Sequence, residues 1–379
     1  MQERVFLSSP HMGGAEQKYV QEAFDTNWVA PLGKNVTEFE NAVISFTGTK
    51  AACALGSGTS GLHLALDLLD IGINDIVFCS SLTFIATANP IKYLGAKPVF
   101  IDSELDSWNM SPYALRKAFE KYSDLGQLPK AVMVVNLYGQ SAKMDELLAI
   151  CNEYNVPLIE DAAESLGSKY NGQMSGTFGK FGIFSFNGNK IITTSGGGMI
   201  VSDDEDAIAH ALKKATQARD QAIHYQHSEV GYNYRLSNIC AGIGRGQMEV
   251  LEERVAQKRA IFDRYKEGFK DIEGISFMEE IEGSFSNRWL STMLIDHEKV
   301  GKSYLDVINM LSEHDIEARP VWKPMHLQPV FADCDFIQDE QMDVSNYLFE
   351  HGICLPSDTK MTSEVQNEII SKIKAFLTN

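Results

Sequence analysis

The 379-residue sequence predicts an α/β fold: a mostly parallel central sheet flanked by helices, followed by a smaller α+β unit. Three observations carry that prediction. Short apolar runs alternate with helical periodicities through the first two hundred residues, as βαβ crossovers require. A glycine turn, Gly56 to Gly61, stands between one such run and a helix. The run Leu158-Ile159 ends on Glu160 and Asp161, which puts a carboxylate at the carboxyl edge of a strand, where open α/β sheets bind their ligands. The length exceeds a usual single domain, and we divide the chain into a large domain over 1–247 and a small C-terminal one over 248–379.

Taken in order, Tyr19, Val20, Ala23 and Phe24 recur at helical spacing within Glu16 to Phe24, and Asn27 to Gly33 breaks the pattern. Trp28 in that loop either caps the core or offers a stacking surface to a flat ligand. A second helix over 36–46 leads to strand Ala51 to Leu55, the glycine turn and helix Leu62 to Leu69. Strands at 76–79, 98–101 and 131–135 then alternate with helical stretches at 85–94, 111–121 and 143–154. The strand ending on Asp161 continues the sheet, and the apolar run Phe181 to Phe186 gives way to Asn187-Gly188-Asn189, Lys190 and Gly196-Gly197-Gly198. Met248, Leu251, Val255, Phe262, Tyr265 and Phe269 keep the spacing of one long helix. Beyond it come a strand-like Phe285 to Ile295, a helix over 303–312, the loop Arg319 to His326 and a last helix over 362–376.

A net charge of −18 argues against nucleic-acid backbones or an anionic membrane as the main partner. No charged leader with a long apolar run is present and no window is long enough to span a bilayer, so the chain reads as cytoplasmic. Its six cysteines are scattered without a C-x-x-C pair, which reads as reduced core residues. His224 and His227 lack partner ligands nearby, and no metal site is expected.

Asp161 and Lys190 are the two anchors. A lysine in apolar, glycine-flanked surroundings is a candidate nucleophile, and an aspartate at a strand end is the group that keeps a pyridine nitrogen protonated in a pyridoxal phosphate enzyme. Their plain alternative is a buried ion pair. Gly56 to Gly61 also matches G-x-G-x-x-G, which makes a nicotinamide dehydrogenase the rival. That fingerprint needs an acid at the end of the second strand, and here the strand ends Phe78-Cys79-Ser80-Ser81. The hydroxyls of Ser57, Thr59 and Ser60 suit a terminal monophosphate at a helix N-terminus better.

The segments SGTSGLHLAL, SLTFIATANPI, GAKPVFID, LIEDAAES, FSFNGNK and GYNYRLSNI resemble the nucleotide-sugar aminotransferases of the DegT/DnrJ type over essentially the whole chain. The resemblance implies an aspartate-aminotransferase-like fold (pyridoxal phosphate fold type I) and pyridoxal 5'-phosphate as cofactor. It implies that Lys190 bonds the cofactor aldehyde, that Asp161 meets the pyridine nitrogen and that Gly58, Thr59 and Ser185 hold the phosphate. Asn233 would reach in from the second subunit of a homodimer, Phe84 would stack on the ring and Glu164 would stand near the ring hydroxyl, where many relatives have glutamine. Lys190 stands where the family's 3-dehydratases carry histidine, which disfavours that chemistry. SSPHMGG, FDTNWVAPLGKNV, YQHSEVGYNYRLSN and RPVWKPMHLQPVF look most like the UDP-4-keto-6-deoxy-N-acetylglucosamine 4-aminotransferases of N-acetylbacillosamine synthesis. That likeness implies a UDP-linked keto sugar as acceptor, L-glutamate as donor, and Asn27, Trp28 and His326 along the sugar-nucleotide site.

Overall fold

The computed structural model describes residues 4–378. Its largest sheet has the strand order Ala51–Leu55, Gly198–Ser202, Phe181–Ser185, Leu158–Asp161, Ala131–Val135, Ile76–Ser80, Lys97–Ile101 and Phe336–Ile337. Gly198–Ser202 runs antiparallel to both neighbours, and the remaining pairs are parallel. Ala131–Val135 is buried along its whole length, which is why it reads as an unbroken apolar run instead of an alternating one. Helices make the crossovers between the strands from Ala51–Leu55 to Leu158–Asp161, and several helix starts are written in the sequence. Ser57, Ser111, Asp204 and Ser237 each accept a hydrogen bond from a first-turn amide, satisfying donors that a helix leaves free.

A second, antiparallel sheet holds Ile275–Phe277, Ser291–Ile295, Gly352–Leu355 and Arg319–Pro320. The helices Leu251–Phe269, Tyr304–Glu313 and Ser363–Thr378 cover it with a core that includes Tyr265, Val307 and Ile369. Two segments cross between the sheets. Val5 forms a parallel bridge with Ile316 of the second unit, and Phe336–Ile337 leaves that unit to pair with Phe100 and Ile101 at the edge of the large sheet.

The expected long helix is two helices, Asn238–Met248 and Leu251–Phe269. The spacing of apolar residues runs through the break because Met248 and Leu251 still face the same core cluster. The strand-like stretch Phe285 to Ile295 is likewise divided into Ser284–Phe285 and Ser291–Ile295. Arg288, with φ 51°, turns the chain between them.

Candidate active site

The strand Phe181–Ser185 and its antiparallel neighbour Gly198–Ser202 bracket the turn that carries Lys190. Lys190 N–H donates to the Asn187 carbonyl at 3.0 Å, closing that turn. One strand over, Leu158–Asp161 ends with Asp161 buried. The site is therefore assembled at the carboxyl ends of adjacent strands, around a cavity of about 310 Å³ lined by Gly58, Thr59, Phe84, Asp161, Glu164, Ser185 and Lys190 among others. Seven expected residues meet in one cavity.

Asp161 accepts hydrogen bonds from the Thr87 hydroxyl at 2.7 Å and the Ala163 amide at 3.1 Å. Burial pushes its carboxyl above the usual range, while the Thr87 and Ala163 bonds and the Lys190 charge pull the other way. A buried carboxylate bonded only by neutral donors is short of a cation, and a protonated pyridine nitrogen is one that the cavity has room to admit. Thr87 is in turn hydrogen-bonded to Thr83 at 2.6 Å, so the acid is held by a side chain that is itself fixed.

The phosphate turn fits an anion equally well. Ser57 caps the helix Gly58–Asp67 by accepting from Ser60 N–H at 3.1 Å, which leaves the Gly58 and Thr59 amides of the first turn for a ligand. A side chain is excluded where the backbone runs past this turn. A Cβ on Gly198 would lie 2.3 Å from the Ser57 carbonyl, and one on Gly58 would lie 3.2 Å from Ser185 Cβ.

Glu164 and Lys190 face each other. Glu164 Oε1 lies 3.6 Å from Lys190 Nζ, and its other oxygen accepts from the Tyr138 amide at 2.7 Å. Burial raises the Glu164 carboxyl, with the Lys190 charge opposing it. The far wall is aromatic, and Tyr138 and Trp289 are its unforeseen members. Lys190 Nζ sits 4.2 Å from the centre of the Trp289 ring, Tyr138 stacks between Trp289 and Trp322, and Phe84, half exposed, leans on Trp322 at 5.4 Å. Tyr138 has φ 52°, strain that a bulky residue bears only where its surroundings hold it. A second cavity of about 500 Å³ shares Asn189, Trp289 and Trp322 with the first and carries Arg319 and Lys323 in its lining.

Four expected site residues lie elsewhere in the protomer. His326 does not line the cavity: its ring stacks on Phe336 at 3.7 Å, and its nitrogens engage Ser81 Oγ at 2.7 Å and Asp343 Oδ2 at 2.9 Å. The short turn Met325–Leu327 sends the side chain against Phe336 and Ser81 at the large sheet. Asn27 and Trp28 are exposed, with the Trp28 carbonyl held by Asn238 Nδ2 at 2.9 Å. Asn233 is also exposed, in a bridge with Thr216.

The model of the DegT/DnrJ/EryC1/StrS aminotransferase family matches residues 10–374. The sequence is 57% identical over 371 residues, covering 98% of this chain and 95% of the other, to the putative pyridoxal phosphate-dependent aminotransferase EpsN of Bacillus subtilis. It is 34% identical to the GDP-perosamine synthase of Escherichia coli O157:H7 over 98% of each chain. A crystal structure of a DegT DnrJ EryC1 StrS aminotransferase from Brucella abortus shares the fold with a TM-score of 0.89 at 27% identity, over 96% of each chain. The chain belongs to the DegT/DnrJ/EryC1/StrS family and is an aminotransferase that uses pyridoxal phosphate.

Proposed function

We propose that this family member moves the amino group of L-glutamate to carbon 4 of a UDP-linked 4-keto-6-deoxy-N-acetylhexosamine, acting in the cytoplasm as a homodimer. The observation that carries a nucleotide-sugar acceptor is the adjoining second cavity. The second adjoins the first through Asn189, Trp289 and Trp322 and adds the cations Arg319, paired with Glu317 at 2.9 Å, and Lys323, which suit a diphosphate. UDP rests on the likeness of FDTNWVAPLGKNV and RPVWKPMHLQPVF to the bacillosamine-type enzymes. A GDP-linked keto sugar is the second reading, favoured by the similarity to GDP-perosamine synthase.

Pyridoxal phosphate, when bound, supplies the aldehyde that takes up the amino group and the ring that draws electrons from the carbon losing its proton. Asp161 would keep the ring nitrogen charged, and the Gly58 and Thr59 amides with Ser185 would hold the phosphate, joined in a homodimer by Asn233 from the second subunit. Phe84 would lie over the ring and Glu164 would stand near its hydroxyl. Lys190 would be the residue that holds the cofactor and, as a free amine, the general acid and base that carries the proton. Asn27 and Trp28 meet the sugar nucleotide along the open side. The purified protein incubated with glutamate and, separately, the UDP, GDP and dTDP forms of 4-keto-6-deoxy sugars is expected to aminate the UDP sugar at carbon 4, as read by mass and NMR. Preference for a GDP or dTDP sugar, or amination at carbon 3, overturns the substrate and leaves the aminotransferase standing.

A further inference from the structure

A lysine that alternates between bonded and free must be held while free, because its four-carbon stem has many rotamers and its proton transfer needs one. Trp289 meets that need in two ways at once. Its ring face carries Lys190 Nζ at 4.2 Å, and its Nε1–H donates at 2.8 Å to the carbonyl of Asn189, the residue before Lys190. One side chain thus fixes both the turn and the amine at the far end of the stem. Cations sit well on indole faces, and the Glu164 carboxylate 3.6 Å away closes the other side.

Trp289 is itself immobile. It is 1% exposed, its amide donates to Asn287 Oδ1 at 2.8 Å, and Asn287 Nδ2 reaches the Glu164 carbonyl at 3.1 Å. Asn287 therefore ties the ring and the carboxylate into one frame. We propose that Trp289 is a positioning residue: its ring face, with Glu164, is the resting place of the Lys190 amine whenever that amine is not bonded to the cofactor.

The proposal rests on the aminotransferase reading with glutamate as donor, and its test separates the two. In the cofactor-free protein, reductive methylation with formaldehyde and cyanoborohydride, followed by peptide mass mapping, is expected to label Lys190 about tenfold faster in Trp289→Leu than in wild type. Trp289→Phe, which keeps an aromatic face, should stay within about twofold of wild type. In the loaded enzyme, Trp289→Leu is expected to slow the single-turnover reaction with glutamate by about 10 to 100-fold and to enlarge the isotope effect with glutamate deuterated at carbon 2, with Phe restoring most of both. Equal labelling in all three proteins and an unchanged isotope effect overturn the proposal. If Trp289→Leu does not fold, Trp289→Met carries the test, because it keeps much of the bulk, lacks the ring face and must still raise Lys190 labelling. A wild type that ignores glutamate while the labelling differences persist removes the donor and leaves the resting place intact.

Discussion

Lys190 and Lys258 both lose most of their solvent, and they are treated in opposite ways. Lys190 keeps 12% of its side chain exposed and faces a carboxylate, an indole and a cavity. Lys258, in the helix Leu251–Phe269, is buried and donates only to neutral oxygens, Ser8 Oγ at 3.0 Å and the Ser357 carbonyl at 2.6 Å. Burial pushes its amine down to about 7, against the pull of Asp358. A depressed basicity alone would nominate Lys258 as the nucleophile. What separates the two is access: Lys190 lines a cavity that also holds an acid and a glycine turn, whereas Lys258 lines neither cavity described above and ties the N-terminal segment at Ser8 to Ser357 of the second unit.

Removing the amine at each site tests that contrast most sharply. Lys190→Ala is expected to abolish turnover, by more than about 10³-fold, since it deletes both the bonding nitrogen and the proton carrier. Borohydride reduction of the loaded wild type should fix the cofactor on Lys190, and a label on Lys258 in peptide maps would break the comparison. Asp161→Asn is expected to lose about two orders of magnitude in kcat while the protein still turns yellow with pyridoxal phosphate; full activity would show that another group serves the ring nitrogen. Glu164→Gln should cost about tenfold, the scale of one charge-assisted hydrogen bond, and move the acidic limb of the rate–pH profile, because the group that titrates has been removed.

Lys258→Met should leave kcat within about twofold, as expected of a change remote from the reacting atoms, and its effect is on stability. The folded chain loses this proton near pH 7, whereas the unfolded chain keeps it to about 10.5. Between those values the unfolded state binds more protons, so wild-type stability rises with pH by up to about 1.4 kcal/mol per unit and falls as pH drops toward 7. Urea midpoints measured from pH 7 to 9.5 should show that slope in wild type and lose its Lys258 share in the variant. An unchanged slope would mean that Lys258 is not the group responsible.

The cofactor half of the site was legible in the sequence because each of its parts is local. A glycine turn before a helix, an acid at a strand end and a lysine on a glycine-flanked turn are positioned by the strands that carry them, and parallel strands bring those ends together. Strands 51–55 and 131–135 were readable to the residue for the same reason, being short apolar runs bounded by turn signals. The aromatic wall was not legible. Tyr138, Trp289 and Trp322 are far apart in the chain and meet only through the packing of the two sheets. A left-handed tyrosine, too, leaves no mark in a hydrophobic pattern. Strand direction is equally silent, so nothing in Gly198–Ser202 announced an antiparallel member. His326 was read from its neighbours in Arg319 to His326, but a single short turn decides which way such a side chain faces, and here it faces Phe336.

The two-residue strand Phe336–Ile337 has a consequence for biosynthesis. Its segment accepts hydrogen bonds along the outer edge of Lys97–Ile101, from Phe100 N–H to the Asp335 carbonyl at 2.8 Å and from Asp102 N–H to the Ile337 carbonyl at 3.0 Å. While the chain is being made, that edge has no cover until the ribosome has passed residue 337, and Val5 waits for Ile316. A nascent chain of this protein therefore carries an open, apolar β-edge for most of its translation, the kind of surface on which unfinished chains associate. Closing the large sheet therefore depends on Phe336–Ile337, a strap supplied after most of the second unit's own strands.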